Sequence, residues 1–190
     1  MTKTDIRKIY KEFHVPKHIQ MHMKAVADLC ENITKKLTKK GEIIDKENLI
    51  LAALLHDTIR VCDIRIFKPE NFPHKTSKED ITKWEELRGI YGKIGHEEAM
   101  ARILESRNKE VIANLIRKHG FNKIDELKSW EEIILYYADK RVEGTKIVSL
   151  KKRFEEGRKR NTGKDTDMRK IAEYEKKVYE LESKYFKELT

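Results

Sequence analysis

The apolar run Leu49-Ile50-Leu51-Ala52-Ala53-Leu54-Leu55 leads without interruption into His56-Asp57. It is the longest apolar run in the chain, yet far short of the roughly 20 residues that a membrane span requires. Asp45, just ahead of it, is a good helix N-cap, so the run reads as the centre of a helix predicted over 46–60. Glu47 adds the first-turn negative charge that a helix dipole favours. Asn48 stands where a capping box would want Glu or Gln. Wound into a helix, the run is apolar on every side, and such a helix lies buried at the middle of a bundle. That placement sets a chemical problem. A helix so buried should not end in an imidazole and a carboxylate without partners, because burying an unpaired charge is costly. A metal ion is one such partner. Asp offers hard oxygen and His borderline nitrogen, which together suit Fe, Mn, Zn, Ni or Co.

The rest of the chain supplies helices to surround this one. Charged residues make up 39% of the 190 residues, against a usual share of about 25%, so the core must come from well-patterned amphipathic segments. A short helix is predicted over 5–13. Val15-Pro16 opens a second, on which His18, His22, Val26, Leu29, Ile33 and Leu37 recur at helical spacing, and Gly41 stops it. Pro69, Asn71, Pro73, His74 and Ser77 mark a loop over 67–77. Further helices are expected at 78–88, 94–106, 108–118 and 129–142, with Gly120 ending the third of these. A last helix, 165–189, carries a heptad seam of Ile171, Tyr174, Val178, Leu181 and Tyr185. Residues 155–164 read as an exposed basic linker, with phosphate or RNA contact as its functional alternative. No stretch alternates like a strand. The expectation is an all-α bundle over 1–155, followed over 156–190 by a linker and a helix packed on the domain or on a partner, with docking on its own domain favoured.

Lys and Arg outnumber Asp and Glu by 42 to 33, a net charge of +9. A basic surface attracts nucleotides, nucleic acid or phosphorylated metabolites, although a solvated lysine-rich surface has the same composition. Cys30 and Cys62 are too few for a disulfide framework and read as small buried thiols. The first residues are charged rather than apolar, so a cytoplasmic protein without a membrane segment is expected.

More metal-type donors follow the same helical patterning. His22 lies on the apolar face of the second helix, His96 opens a helix, His119 closes one, and Asp139 sits in an apolar helix beside Lys140. Taken singly, each has an ordinary explanation: a hydrogen-bonded core histidine, or an aspartate paired with its neighbouring lysine. Taken in order, His22 … His56-Asp57 … His96 … His119 … Asp139 resembles the HD-domain metal-dependent phosphohydrolases. The flanks are similar as well. "VPKHIQMHMKAVADLC" looks like the family's first-ligand helix, "ALLHDTIR" like its Leu-Leu-His-Asp signature, and "YYADKRVEGTKIVSLKKRF" like the Ala-Asp-Lys region. Thr58-Ile59 departs from the Ile-Gly that many members carry. His14 and His18 compete with His22 for the first position, and the spacing to Val26-Ala27 selects His22, leaving His18 to support it.

The resemblance implies an HD-type helical bundle in which His22, His56, Asp57 and Asp139 bind one divalent metal. His96 and His119 fit the place of the histidines that hold a second, with Asp57 bridging. Two metals per chain are expected, drawn from Fe, Mn, Ni, Co or Zn, with Mg as a further candidate. The alternative is one metal, with His96 and His119 as phosphate donors or a general acid. A metal pair lowers the pKa of a bound water and clamps phosphoryl oxygens. Asp57, His96, His119 and Lys140 are thus the candidate catalytic residues. Arg60 and Lys140 are the leading substrate contacts, and Arg117 is a further candidate against a plain surface role, which Lys118 and Arg153 share. Phe67, Phe72 and Trp84 either stack on a base or pack the core.

The function implied is hydrolysis of a phosphate ester or anhydride in a nucleotide or other small phosphorylated compound, by a monomer or homodimer. Competing readings are an RNA-directed phosphodiesterase using the basic surface, a non-catalytic metal-stabilised scaffold, and a di-iron oxygenase on the same fold.

Overall fold

The computed structural model describes residues 2–64, 66–161 and 167–187. It is an all-α bundle, as expected. Thr2 and Asp5 form a capping box that starts α1 (Lys3–Glu12). Pro16 takes the N-cap position of α2 (Lys17–Lys39), whose buried stripe includes Met23, Val26, Cys30, Ile33 and Leu37. Asp45 caps α3 (Lys46–Leu55) by accepting the Asn48 backbone N–H at 3.1 Å. Leu49, Leu51, Ala52, Ala53 and Leu55 are all buried, because α3 packs against α2 on one side and against two later helices on others.

α3 is shorter than the predicted 46–60. After Leu55 the backbone tightens: Thr58 donates to Leu55, Arg60 to Asp57 and Cys62 to Ile59, all across three residues. A 3-10 turn over Arg60–Asp63 results. The 67–77 stretch is a loop holding one short 3-10 turn, Pro69–Asn71. In it Phe67 and Phe72 pack edge-on or tilted against buried Trp84, which also donates from its indole to the His14 carbonyl at 2.7 Å. These three rings are core packing.

A Ser77–Asp80 capping box opens α4 (Lys78–Tyr91). Gly95, at φ +82, makes a left-handed turn that directs the chain into α5 (His96–Glu105). α6 (Glu110–Arg117) packs on α5 and α3. A 3-10 stretch, Phe121–Glu126, follows where no element was predicted. A Ser129–Glu132 capping box starts α7 (Trp130–Arg141), which lies against α2 and α3.

Two expectations are corrected beyond α7. A small antiparallel hairpin, β1 (Val142–Glu143) and β2 (Lys146–Ile147), turns through Gly144 at φ +58. Residues 155–161 are helix rather than linker, because α8 runs continuously over Leu150–Asn161. Residues 162–164 of that predicted linker lie outside the described residues. Asp167 caps α9 (Met168–Tyr185). Its seam faces the bundle: Val178 and Leu181 are buried, Tyr174 meets Phe121, and Phe186 just past the helix stacks on Tyr137 at 4.2 Å. Arg141 and the Tyr137 hydroxyl both donate to Glu182, fixing α9 to α7. Among the described residues no helix is long and apolar enough to cross a membrane.

Candidate metal centre

Five elements deliver polar side chains to the end of α3. α2 brings His22, the α3 terminus His56 and Asp57, the first residue of α5 His96, the turn after α6 His119, and α7 Asp139. His22 Nε2 lies 3.1 Å from Asp139 Oδ1 and 3.8 Å from Asp57 Oδ2. His56 Nε2 lies 3.5 Å from Asp139 Oδ1 and 3.7 Å from Asp57 Oδ2. The other Asp57 oxygen faces the opposite way: Oδ1 is 3.0 Å from His96 Nε2 and 3.8 Å from His119 Nε2. The last two nitrogens are 3.3 Å apart. One carboxylate thus stands between two donor sets.

The far side of each imidazole is held. Nδ1 of His22 donates to the Gly144 carbonyl, that of His56 to Ala53, that of His119 to Ile116, and that of His96 to Asp63 Oδ2 at 2.7 Å. With Nδ1 donating on that side, each Nε2 is directed into the cluster, the orientation a metal-binding histidine needs. His56 is fully buried and its Nε2 has no hydrogen-bond partner. A buried acceptor of this kind calls for a cation or a donor. Three groupings here have donor atoms close enough to share one ion: His22, His56 and Asp139; His56, Asp57 and His119; and His96, Glu97 and His119. The donor set fits a divalent metal with nitrogen and oxygen ligands.

Electrostatics agree with that reading. Burial pushes the Asp57 and Asp139 carboxyls up, but the neighbouring imidazoles, and Lys140 beside Asp139, outweigh it and hold both well below the usual carboxylate range. Burial pushes His96 down, yet hydrogen bonds to Asp57 and Asp63 prevail and raise it to about 9. His22 is raised against its burial by Asp139 and Asp57. His119 is lowered by burial and by His56 and His96 beside it. Two ionised carboxylates therefore draw positive charge into a buried place.

The neighbouring candidates fall out differently. His18 lies edge-on to Phe72 and near His74, and His14 bonds Asp80, so His22 alone of the three reaches the cluster. Arg60 lines the cleft beside the cluster and is anchored on Asp63 at 2.7 Å. Lys140 is buried, and its ammonium donates to Asp139 Oδ2 and to the His119 carbonyl, so it ties two parts of the cluster together. Arg117 does not join the site. Its guanidinium is taken up by Glu98, Glu105 and Asn114 on the outer side of α5 and α6. Asp63, Glu97 and the Gly144 carbonyl are parts of the site that residue spacing did not reveal. Asp63 accepts from both the backbone and the ring of His96, and Glu97 Oε2 lies 3.1 Å from His96 Nδ1. The only local sign was the His96-Glu97 adjacency. Cys30 and Cys62 are buried free thiols, and burial pushes the Cys62 thiol up to about 12.

The cluster opens on a cleft of about 330 Å³, lined by Asp57, Arg60, His96, His119 and Lys140 together with residues of α8 and α9. A family model described as HD domain matches residues 19–143. No curated protein and no solved structure matches the chain.

Proposed function

The chain belongs to the HD-domain family of metal-dependent phosphohydrolases, and from that membership we propose that it hydrolyses a phosphate ester or anhydride of a nucleotide or other small phosphorylated compound. The observation that carries this reading is Asp57, whose two oxygens face two separate imidazole sets at 3.0–3.8 Å. We read His22, His56, Asp57 and Asp139 as one ligand set and His96, His119 and Asp57 as a second. These residues would hold divalent ions, which would supply Lewis acidity and lower the pKa of a water. Four imidazoles in the set favour Fe, Mn, Co, Ni or Zn over Mg.

The remaining residues orient and balance this centre. Asp63 fixes the His96 ring, Gly144 fixes His22, and Lys140 holds Asp139 toward the cluster while offsetting its charge. Arg60, at the cleft wall, is the guanidinium best placed to meet a phosphoryl oxygen. The test is metal content by plasma mass spectrometry on untagged protein purified anaerobically, followed by phosphate release from a panel of phosphorylated compounds. About two equivalents of transition metal per chain with turnover of a small phosphate is the expected result. About one equivalent would recast His96 and His119 as substrate or acid groups. No metal after reconstitution would remove the catalytic reading and leave a helical scaffold.

A further inference from the structure

Part of the cleft lining comes from residues outside the segment that matches the family, 19–143. α8 contributes Arg153, Phe154, Gly157 and Arg158, and α9 contributes Ile171 and Glu175. Arg153 and Gly157 are one helical turn apart and so share a face, as do Phe154 and Arg158.

Two features of this wall have no structural reason. The first is Arg153. The cleft holds other cations, but each has a carboxylate: Arg60 has Asp63, Lys140 has Asp139, and Arg158 has Glu175. Among the described residues Arg153 has none, and its Nε is buried without a hydrogen-bond partner. A buried N–H without an acceptor is unfavourable unless something arrives to accept from it. The second is Gly157. It sits inside a helix, where glycine is unfavourable relative to alanine. No left-handed φ requires it, and a Cβ added there would meet nothing within 4 Å. Neither backbone conformation nor close packing explains the glycine. It lines the cleft, and the space beside its Cα is open. Phe121 and Phe154, edge-to-face at 5.9 Å, give the same cleft an apolar part.

We propose that this side of α8 selects the substrate: Arg153 takes a second phosphate, beyond the one at the cluster, and the space left by Gly157 admits the nucleoside that carries it. The substrate class is then a nucleoside diphosphate or longer polyphosphate rather than a simple monoester. An Arg fork matches phosphate oxygens in pairs, and the cleft volume suits a ligand of that size. This rests on the hydrolase reading above and deepens it.

Calorimetric titration of the metal-loaded full chain with non-hydrolysable probes separates the two. Methylphosphonate, methylenediphosphonate and adenosine 5′-methylenediphosphonate are compared on wild type, Arg153→Gln, Arg153→Lys and Gly157→Leu. Wild type should bind the diphosphonates more tightly than methylphosphonate. Arg153→Gln should weaken the diphosphonates about tenfold, the worth of one charged hydrogen-bonding pair, and leave methylphosphonate within about twofold. Arg153→Lys keeps the charge and should recover most of the loss. Gly157→Leu should weaken the adenosine probe about tenfold while its melting temperature is maintained or raised. Equal weakening of mono- and diphosphonates in Arg153→Gln, or no effect of either variant, would overturn the proposal. Binding of all probes by wild type without discrimination would also overturn it while leaving the hydrolase reading intact. Failure of metal-loaded wild type to bind any of them would overturn both.

Discussion

Asp57 offers one oxygen to each half of the cluster. Asp57→Ala should leave four imidazoles and Asp139 without the carboxylate between them. The expected outcome is loss of bound metal and of turnover with most helix content retained, read by plasma mass spectrometry, phosphate release and circular dichroism. Retained turnover would sink the assignment of Asp57. Lys140→Ala is a different case, because its ammonium supports Asp139 and the His119 turn from behind. It should lower activity while metal is retained. His96 adds a pH signature. Its folded pKa in the metal-free protein is about 9, raised from 6.5. A raised pKa means the folded state holds the proton more tightly than the unfolded chain. That stabilisation is complete below about pH 6.5 and is lost as pH climbs through about 9. Metal needs Nε2 deprotonated, so metal affinity should rise over the same window. Thermal melts of chelator-treated and metal-reconstituted protein between these pH values check it. The metal-free protein should lose stability with pH and the loaded one should not, and parallel slopes would contradict the account.

At the level of elements, the decisive one was legible because its constraint is local. An apolar run that fills every face of a helix calls for burial, and five of its seven residues are buried, with Ile50 and Leu54 half-buried. The ligand-bearing helices were legible for the same reason: His22, His96, His119 and Asp139 each sit at a fixed place in a helical period. Where α3 stops was not legible. Thr58, Ile59 and Val61 are buried and continue the apolar pattern, while the i−3 bonding that ends the helix comes from its surroundings. The α8 helix was missed because Glu155-Glu156-Gly157-Arg158-Lys159 has the composition of a linker, and its helicity depends on packing of Leu150 and Phe154. Asp63 and the Gly144 carbonyl reach the site only through the tertiary fold. The seam on α9 could be read, but not what it covers. In the structure Phe186, fully buried, stacks on Tyr137. Phe186→Ala should therefore cost about 3–5 kcal/mol. In a chain of this size that lowers the melting temperature by roughly 10 °C, measurable by calorimetry. An unchanged melting temperature would mean that α9 does not dock there in solution.

For the molecule as a whole, the +9 charge allows two kinds of substrate, and its distribution argues for the smaller. Much of the basic surface is locally matched: Lys24 with Asp28, Lys46 with Glu31, Arg107 with Glu12, Arg117 with Glu98 and Glu105, and Lys177 with Asp125. Exposed pairs of this kind contribute little stability. They do divide a positive field into short-range dipoles that fade within about 8–10 Å at ordinary salt. A protein that tracks a nucleic-acid backbone neutralises many phosphates at once and loses several orders of magnitude in affinity between about 50 and 200 mM salt. A small nucleotide held in the cleft displaces few counterions. The expectation is that affinity for the nucleotide falls only several-fold over that range, and that a generic oligoribonucleotide binds more weakly than the nucleotide throughout. Fluorescence titration of both ligands at several salt concentrations decides between the readings. A steep salt dependence, with the oligoribonucleotide bound more tightly at low salt, would move the site from small phosphorylated compounds to RNA and would give the exposed lysines of α8 a part in binding it.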